Sequence, residues 1–332
     1  MKRTIALKLT LSEEQAASLL QTQEDFAQAC NGIASYARDN RCWNQVGLHH
    51  LSYYEVREQI PYLGSQMVCN AIRKVCGSYK ALRIKKQQEV PLVVFKDTSS
   101  IHYCARTFSL KEEQLSLFSV NKRIRCRFML GEHQRKYLAC GKIKEGELVR
   151  KKKRWFFNIV LDLPEVSLKS TGEVFAVDLG ENNLATTSCG TIYGGGVLRH
   201  CRDKFLDRRR KLQSNGSKAA KSCLQRISGK ERQRVKQTNH CVSKEIVQEA
   251  VDFGANVIVL EDLTHIRKRI RTNKRLRTRL HRWSWRELQR FVEYKAEAAG
   301  LRVVYVNPQY TSLTCSRCES MGQRHKHLFK CS

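Results

Sequence analysis

A chain of 332 residues is long enough for two or three domains and at least one large core. Its 41% hydrophobic and 28% charged residues give a globular composition, and no run approaches the roughly 20 apolar residues of a membrane helix. Lys8 comes too early for a signal-peptide core, so the expectation is a cytoplasmic protein with no membrane partner. The 61 Lys+Arg against 31 Asp+Glu leave a formal charge of +30. That is far beyond the roughly 2–8 that solubility asks of a small domain, and it points to nucleic acid as partner.

Residues 4–11 alternate like an edge strand, with Ile5, Leu7 and Leu9 on one face. Ser12-Glu13-Glu14-Gln15 has the form of a capping box, and apolar stripes through Leu19, Phe26 and Ile33, then Met67, Ala71 and Val75, make residues 12–87 helical. From Pro91 to Pro164 the period falls to two. Leu92–Phe95, Ile101–Cys104, Leu115–Phe118, Ile124–Phe128 and Trp155–Val160 read as short strands of a small barrel, completed by Thr4–Leu11. Lys151-Lys152-Lys153-Arg154 is its basic hairpin tip, and Arg154 beside Trp155 suits a nucleic-acid backbone.

Beyond Pro164 the pattern turns to α/β. Val174–Val177 is a buried apolar strand ending in Asp178, and Asn256–Leu260 repeats the design with Glu261. A hairpin at Cys189-Gly190, a long helical stretch over roughly 200–252 broken near Ser214-Asn215-Gly216, a capping box at Ser284 and a strand at Leu301–Val306 complete it. The order β-β-β-α-β-α-β is that of an RNase H-like sheet, in which the first and fourth strands are neighbours. The fold class expected is therefore α/β plus β-barrel. A barrel domain (1–11 and 88–168) carries a helical insertion (12–87) and precedes an RNase H-like domain (169–310) and a partial zinc ribbon (311–332).

Two carboxylates at the carboxyl ends of neighbouring strands can bridge divalent metals for phosphodiester hydrolysis, Asp178 and Glu261 supplying the ligands while Asp262 faces away or caps the next turn. Between residues 199 and 282 there are 24 Lys+Arg against 8 Asp+Glu. The densest parts, Arg208-Arg209-Arg210-Lys211 and the run from Arg267 through Lys268, Arg269 and Arg271, are candidates for phosphate contact. Cys315-x-x-Cys318 is the first half of a zinc knuckle and Cys331 begins the second. A fourth ligand is missing, with His325 or His327 as possible substitutes.

These residues form a recognisable set. Val177-Asp178-Leu179-Gly180, Asn239-His240 leading into Ser243-Lys244-Glu245-Ile246-Val247, Leu260-Glu261-Asp262-Leu263, Tyr294-Lys295-Ala296 and Pro308-Gln309-Tyr310-Thr311-Ser312 with the cysteine knuckle resemble the TnpB (OrfB-type) transposon-associated proteins. Those are similar to type V CRISPR effector nucleases. The resemblance implies an RNA-guided DNA endonuclease with a RuvC-like domain, guide RNA and DNA as partners, and a wedge-like barrel with a helical recognition insertion. It further implies Asp178 and Glu261 as the first two catalytic carboxylates with Mg2+, and Cys315, Cys318 and Cys331 as three of four Zn2+ ligands. The family pattern continues to a third catalytic Asp, whereas no Asp follows Asp262 here, and Glu319 stands where Gly is usual. The expectation is a chain truncated within the ribbon, holding Mg2+ weakly or not at all and impaired in cleavage. The alternative is a nuclease-inactive nucleic-acid-binding remnant or regulator.

Overall fold

The computed structural model describes residues 1–332 apart from 113, 265, 267–273, 309–313, 316, 317, 319, 326, 327 and 332. The chain divides into two compact units, Met1–Glu165 and Val166–Ser332.

The first unit begins with β1 (Lys2–Thr10), then α1 (Glu13–Asp39), α2 (Gln45–Gln59) and α3 (Ser65–Leu82). Next come β2 (Ile101–Cys104), β3 (Phe108–Lys111), β4 (Gln114–Leu117), β5 (Ile124–Met129), α4 (Glu132–Cys140), β6 (Lys142–Lys151) and β7 (Arg154–Asp162). The Ser12 capping box forms, with Gln15 as its second member. The seven strands make one antiparallel sheet in the order β2-β6-β7-β1-β5-β4-β3. Its two outer strands, β2 and β3, are joined by only three residues, Ala105–Thr107, so the sheet must curl until its edges meet. Phe157 on β7 marks the closure. Its ring lies 5.7 Å from Tyr103 on one edge strand and 5.0 Å from Phe108 on the other. Gly146 on β6 leaves room for that ring, since a Cβ there would sit 2.2 Å from Phe157 Cζ.

Two expectations fail in this unit. Residues 4–11 do bury Ile5, Leu7 and Leu9, but β1 is a central strand, paired with β7 and β5. Alternation reports which face is buried and carries no information about how many neighbours a strand has. Leu92–Phe95 is not a strand, because helix side chains take its hydrogen bonds. Asn31 donates to the Phe95 carbonyl at 2.9 Å and accepts from its amide at 2.7 Å, and Tyr79 Oη accepts from Val93 N at 3.3 Å. The short α4 has no buried residue, so it leaves no apolar stripe to find.

The second unit holds β8 (Glu173–Asp178), β9 (Asn183–Thr187), β10 (Ile192–Gly194), α5 (Gly196–Asn215) and α6 (Lys218–Asp252). After them come β11 (Ala255–Glu261), α7 (Lys274–Arg282), α8 (Trp285–Ala298) and β12 (Arg302–Val306), then the small hairpin of β13 (Gln323–His325) and β14 (Leu328–Lys330). The five-stranded sheet runs β10-β9-β8-β11-β12, with β8, β11 and β12 parallel and the β8-β9-β10 meander antiparallel. Gly216, at φ 65°, ends α5 in the left-handed region and produces the expected break before α6. Phe175, Ile258 and Leu260 of the sheet bury against Ile246 and Ala250 of α6 and Val292 and Ala296 of α8. Among the described residues no helix is long and apolar enough to cross a membrane.

Candidate metal and nucleic-acid site

Asp178 and Glu261 each stand one residue past the last registered pair of β8 and β11, Val177↔Leu260. Parallel partners share a face, so the two side chains leave the same side of the sheet from backbones about 5 Å apart. Asp178 is exposed and Glu261 partly exposed, and a cleft bordered by Glu261, Asp262, Tyr305, Asn307 and Pro308 opens beside Glu261. Thus two carboxylates predicted from apolar runs more than 80 residues apart meet at one sheet edge. Asp262 caps the next turn, its carboxylate accepting from Thr264 N at 2.9 Å, and it lines the same cleft as Glu261.

Cys315, Cys318 and Cys331 also converge, their sulfurs all within 4.8 Å of one another. A tetrahedral Zn2+ with Zn–S near 2.3 Å would ask for S···S edges of about 3.8 Å, so the three thiols fit three of its corners. The Cys315 amide donates to Ser320 O at 2.9 Å and closes the knuckle. The Ser320 backbone and then the Cys331 thiol at 3.3 Å bring Cys318 down to about 7, while hydrogen bonding to Cys318 pushes Cys331 up to about 11. His325 contributes backbone to β13, but its side chain and the whole of His327 lie outside what the structure describes.

The basic residues divide. Arg208 and Arg210 are exposed on α5. Arg209 is committed to Glu231 at 2.8 Å, and Lys211 to Asp207 at 3.0 Å one turn earlier. Arg282 joins Arg209 on Glu231 at 2.6 Å. Burial, and then Arg282, hold the half-buried Arg202 below the usual guanidinium range. Arg279 forms a two-pronged pair with Glu181, three residues after Asp178. Arg267, Lys268, Arg269 and Arg271 lie outside the described residues.

In the first unit Arg154 closes the β6–β7 hairpin opposite Lys151, with all four tip residues exposed. Trp155, expected to interleave with the basic tip, is instead 5% exposed and packed into the barrel, so it offers no ring for stacking. Lys152 and Lys153 occupy the left-handed region at φ 49° and 64°, a turn that favours Asn-Gly. Replacing them by Asn-Gly should stabilise this unit by about 1 kcal/mol, a rise of roughly 2–4 °C in melting temperature, while weakening binding to a polyanion. Thermal melts and RNA titrations of the same variant read both effects.

The sequence reading missed a second basic feature. Arg123, just before β5, and the outward-facing Arg125 and Arg127 on it form a row of three arginines, all exposed. Their registered neighbours are Thr10 and Gln114 beside Arg127 and Ser116 beside Arg125, with no carboxylate. The opposite side of the barrel differs. There Arg73 pairs with Glu145, Lys74 with Glu147 and Lys144 with Asp162. The signal was present in Ile124–Phe128, whose apolar face alone was read.

The family described as Cas12f1-like, TNB domain, matches residues 285–332. A TnpB-like protein of Methanocaldococcus jannaschii is 29% identical over 247 residues, covering 68% of this chain and 86% of its own. The CRISPR-associated endodeoxyribonuclease Cas12f1 of Sulfoacidibacillus thermotolerans is 24% identical over 347 residues, covering 89% and 79%. A cryo-EM structure of a Cas12f1–sgRNA–target DNA complex superposes with a TM-score of 0.62 at 15% identity over 94% of this chain and 77% of that one, a likeness of fold. In sequence the chain is thus similar to TnpB-like proteins and to type V effector nucleases.

The Asn239-His240 and Tyr294-Lys295 motifs read from the sequence have a packing role. Asn239, 1% exposed in α6, donates to Ser284 Oγ at 3.0 Å and Glu287 Oε2 at 2.7 Å. Both members of the expected Ser284 capping box are thereby taken, and Ser284 makes no side-chain cap to α8. His240 stacks on Phe291 at 3.8 Å, and Lys295 Nζ donates to His240 O at 2.5 Å and Ser243 Oγ at 2.6 Å. These residues lock α8 onto α6.

Proposed function

We propose that this chain is an RNA-guided DNA endonuclease by descent, with an RNase H-like RuvC domain whose Asp178 and Glu261 hold Mg2+. The observation that carries the reading is the placement of these two carboxylates side by side at the ends of parallel strands. Magnesium bound there would supply Lewis-acid stabilisation of a phosphodiester undergoing attack. The protein's own part is to hold two carboxylates side by side at the ends of adjacent parallel strands. The domain reading accompanies it: a wedge-like barrel (1–11 and 88–168), a helical recognition insertion (12–87), the nuclease domain (169–310) and a ribbon (311–332) in which Cys315, Cys318 and Cys331 would hold Zn2+. Guide-type RNA and target DNA are the partners, gripped through Arg154, Arg208, Arg210 and the β5 arginines, with Arg209, Lys211 and the residues from Arg267 to Arg271 contributing charge.

Asp178 and Glu261 are the two carboxylates that the paired ends of β8 and β11 bring side by side, where two-metal hydrolysis uses more. We expect Mg2+-dependent nicking of guided target DNA by this chain to fall below detection while RNA binding persists. Robust cleavage abolished by Asp178→Ala would show the two-carboxylate site to be sufficient.

RNA binding itself should be steeply salt-dependent. Changing Arg123, Arg125 and Arg127 together to Gln should lower the slope of log affinity against log salt by about one per arginine lost. A titration of labelled RNA at stepped salt measures it, and an unchanged slope would remove β5 from the interface.

A further inference from the structure

Resting on the proposed role of Glu261, we infer that Gln289 is a positioning residue that fixes the strand end carrying that carboxylate and so sets the affinity of the site for divalent metal. Gln289 lies on α8 and is 0% exposed. A buried amide is costly unless its hydrogen bonds are made, so its single strong donation reports what the position is for. Its Nε2 donates to the carbonyl oxygen of Glu261 at 2.8 Å.

The geometry of that one peptide gives the contact its meaning. The amide of Asp262, the other end of the same peptide unit, donates to Val306 O on β12 at 2.7 Å. A trans peptide points its C=O and N–H in opposite directions, so the Glu261 carbonyl faces away from β12. The last registered pair of β11 with β8 is Leu260↔Val177, so the ladder on that side has already stopped. Gln289 supplies the donor that β8 no longer provides. The 261–262 peptide is thus held at both polar ends, and with it the direction in which the Glu261 side chain departs. Without the amide, the 261–262 peptide would lose one of its two anchors, and rotation of its plane would swing Glu261 away from Asp178.

Gln289 is itself held. Asn239 of α6 fixes the first turn of α8 through Ser284 and Glu287, within about a turn and a half before Gln289. A polar relay therefore runs from the buried Asn239 through α8 to the strand end.

The test uses the full chain, with Mn2+ as probe and its binding followed by electron paramagnetic resonance. Gln289→Met keeps the length and burial of the side chain but removes the donor. It should weaken Mn2+ by about tenfold, within the range for groups that orient a metal ligand. Val292→Ala, on the same helix and equally buried, serves as the structural control. It lowers stability by leaving a cavity and should leave Mn2+ affinity unchanged. Wild-type affinity in Gln289→Met, or equal losses in both variants at matched stability, would overturn the positioning role. Should Asp178→Asn abolish Mn2+ binding while Gln289→Met does not, only the present inference falls. Should Asp178→Asn bind Mn2+ as the wild type does, the two-carboxylate reading falls with it.

Discussion

Phe157→Ala should destabilise the Met1–Glu165 unit by about 3–5 kcal/mol, the range for deleting a buried aromatic ring. The ring is fully buried at the point where the sheet closes, touching Tyr103 from one edge and Phe108 from the other. Its loss therefore removes the side chain that both edge strands pack on, and collapse around the gap is resisted by the three-residue β2–β3 link. Gly146→Ala in the otherwise unchanged protein should cost about 1–3 kcal/mol, because its new methyl would overlap the Phe157 ring. In the Phe157→Ala background the same methyl enters the cavity, so the two changes should be strongly non-additive, with the double variant more stable than the sum of the singles. Because the chain has two units, hydrogen exchange of the β6 and β7 amides is the appropriate readout, in place of a single melt. Additive losses would mean that the two positions do not share the closure.

The parts of this fold that can be read from sequence are those where burial writes a period into the chain. β8 and β11 are apolar runs ending in a carboxylate, and their pairing follows from the order of elements. What escapes is decided by partners distant in sequence. Leu92–Phe95 has strand composition, but Asn31 and Tyr79, contributed by helices, satisfy its backbone. Ser284 and Glu287 have the spacing of a capping box, yet Asn239 claims both. Arg209 and Lys211 sit in one basic run as equals. Glu231, 22 residues further on, engages the first and Asp207 the second. A run of like charge shows where positive charge is dense and is silent about which charges are already compensated. The arginines of β5 were hidden for the opposite reason: a strand read for its buried face discloses its outward one only when both are written out.

Asp178→Asn should leave the unloaded protein as stable as the wild type, or slightly more so, and should remove most of its stabilisation by divalent metal. Like charges on directly neighbouring strand positions repel, and at about 5 Å with water-like screening the repulsion is about 0.8 kcal/mol. A bound cation reverses the sign of that interaction, since each carboxylate then serves as a ligand. At a hundredfold excess over its dissociation constant, Mn2+ should stabilise the Val166–Ser332 unit by about 2.7 kcal/mol in the wild type. Loss of a direct ligand should weaken binding by more than the roughly 10–100-fold that neighbouring groups cost, so Asp178→Asn and Glu261→Gln should each show little of that gain. Asp252→Asn is the control, because its carboxylate accepts from Gln248 one turn earlier on α6 and an amide oxygen can accept the same bond. Melts of the four proteins with EDTA and with Mn2+ separate the possibilities. A structural role for Asp178 would lower stability in EDTA and spare the metal-dependent gain. A ligand's role does the reverse, and that inversion is what distinguishes a metal site from two acidic residues that merely end adjacent strands.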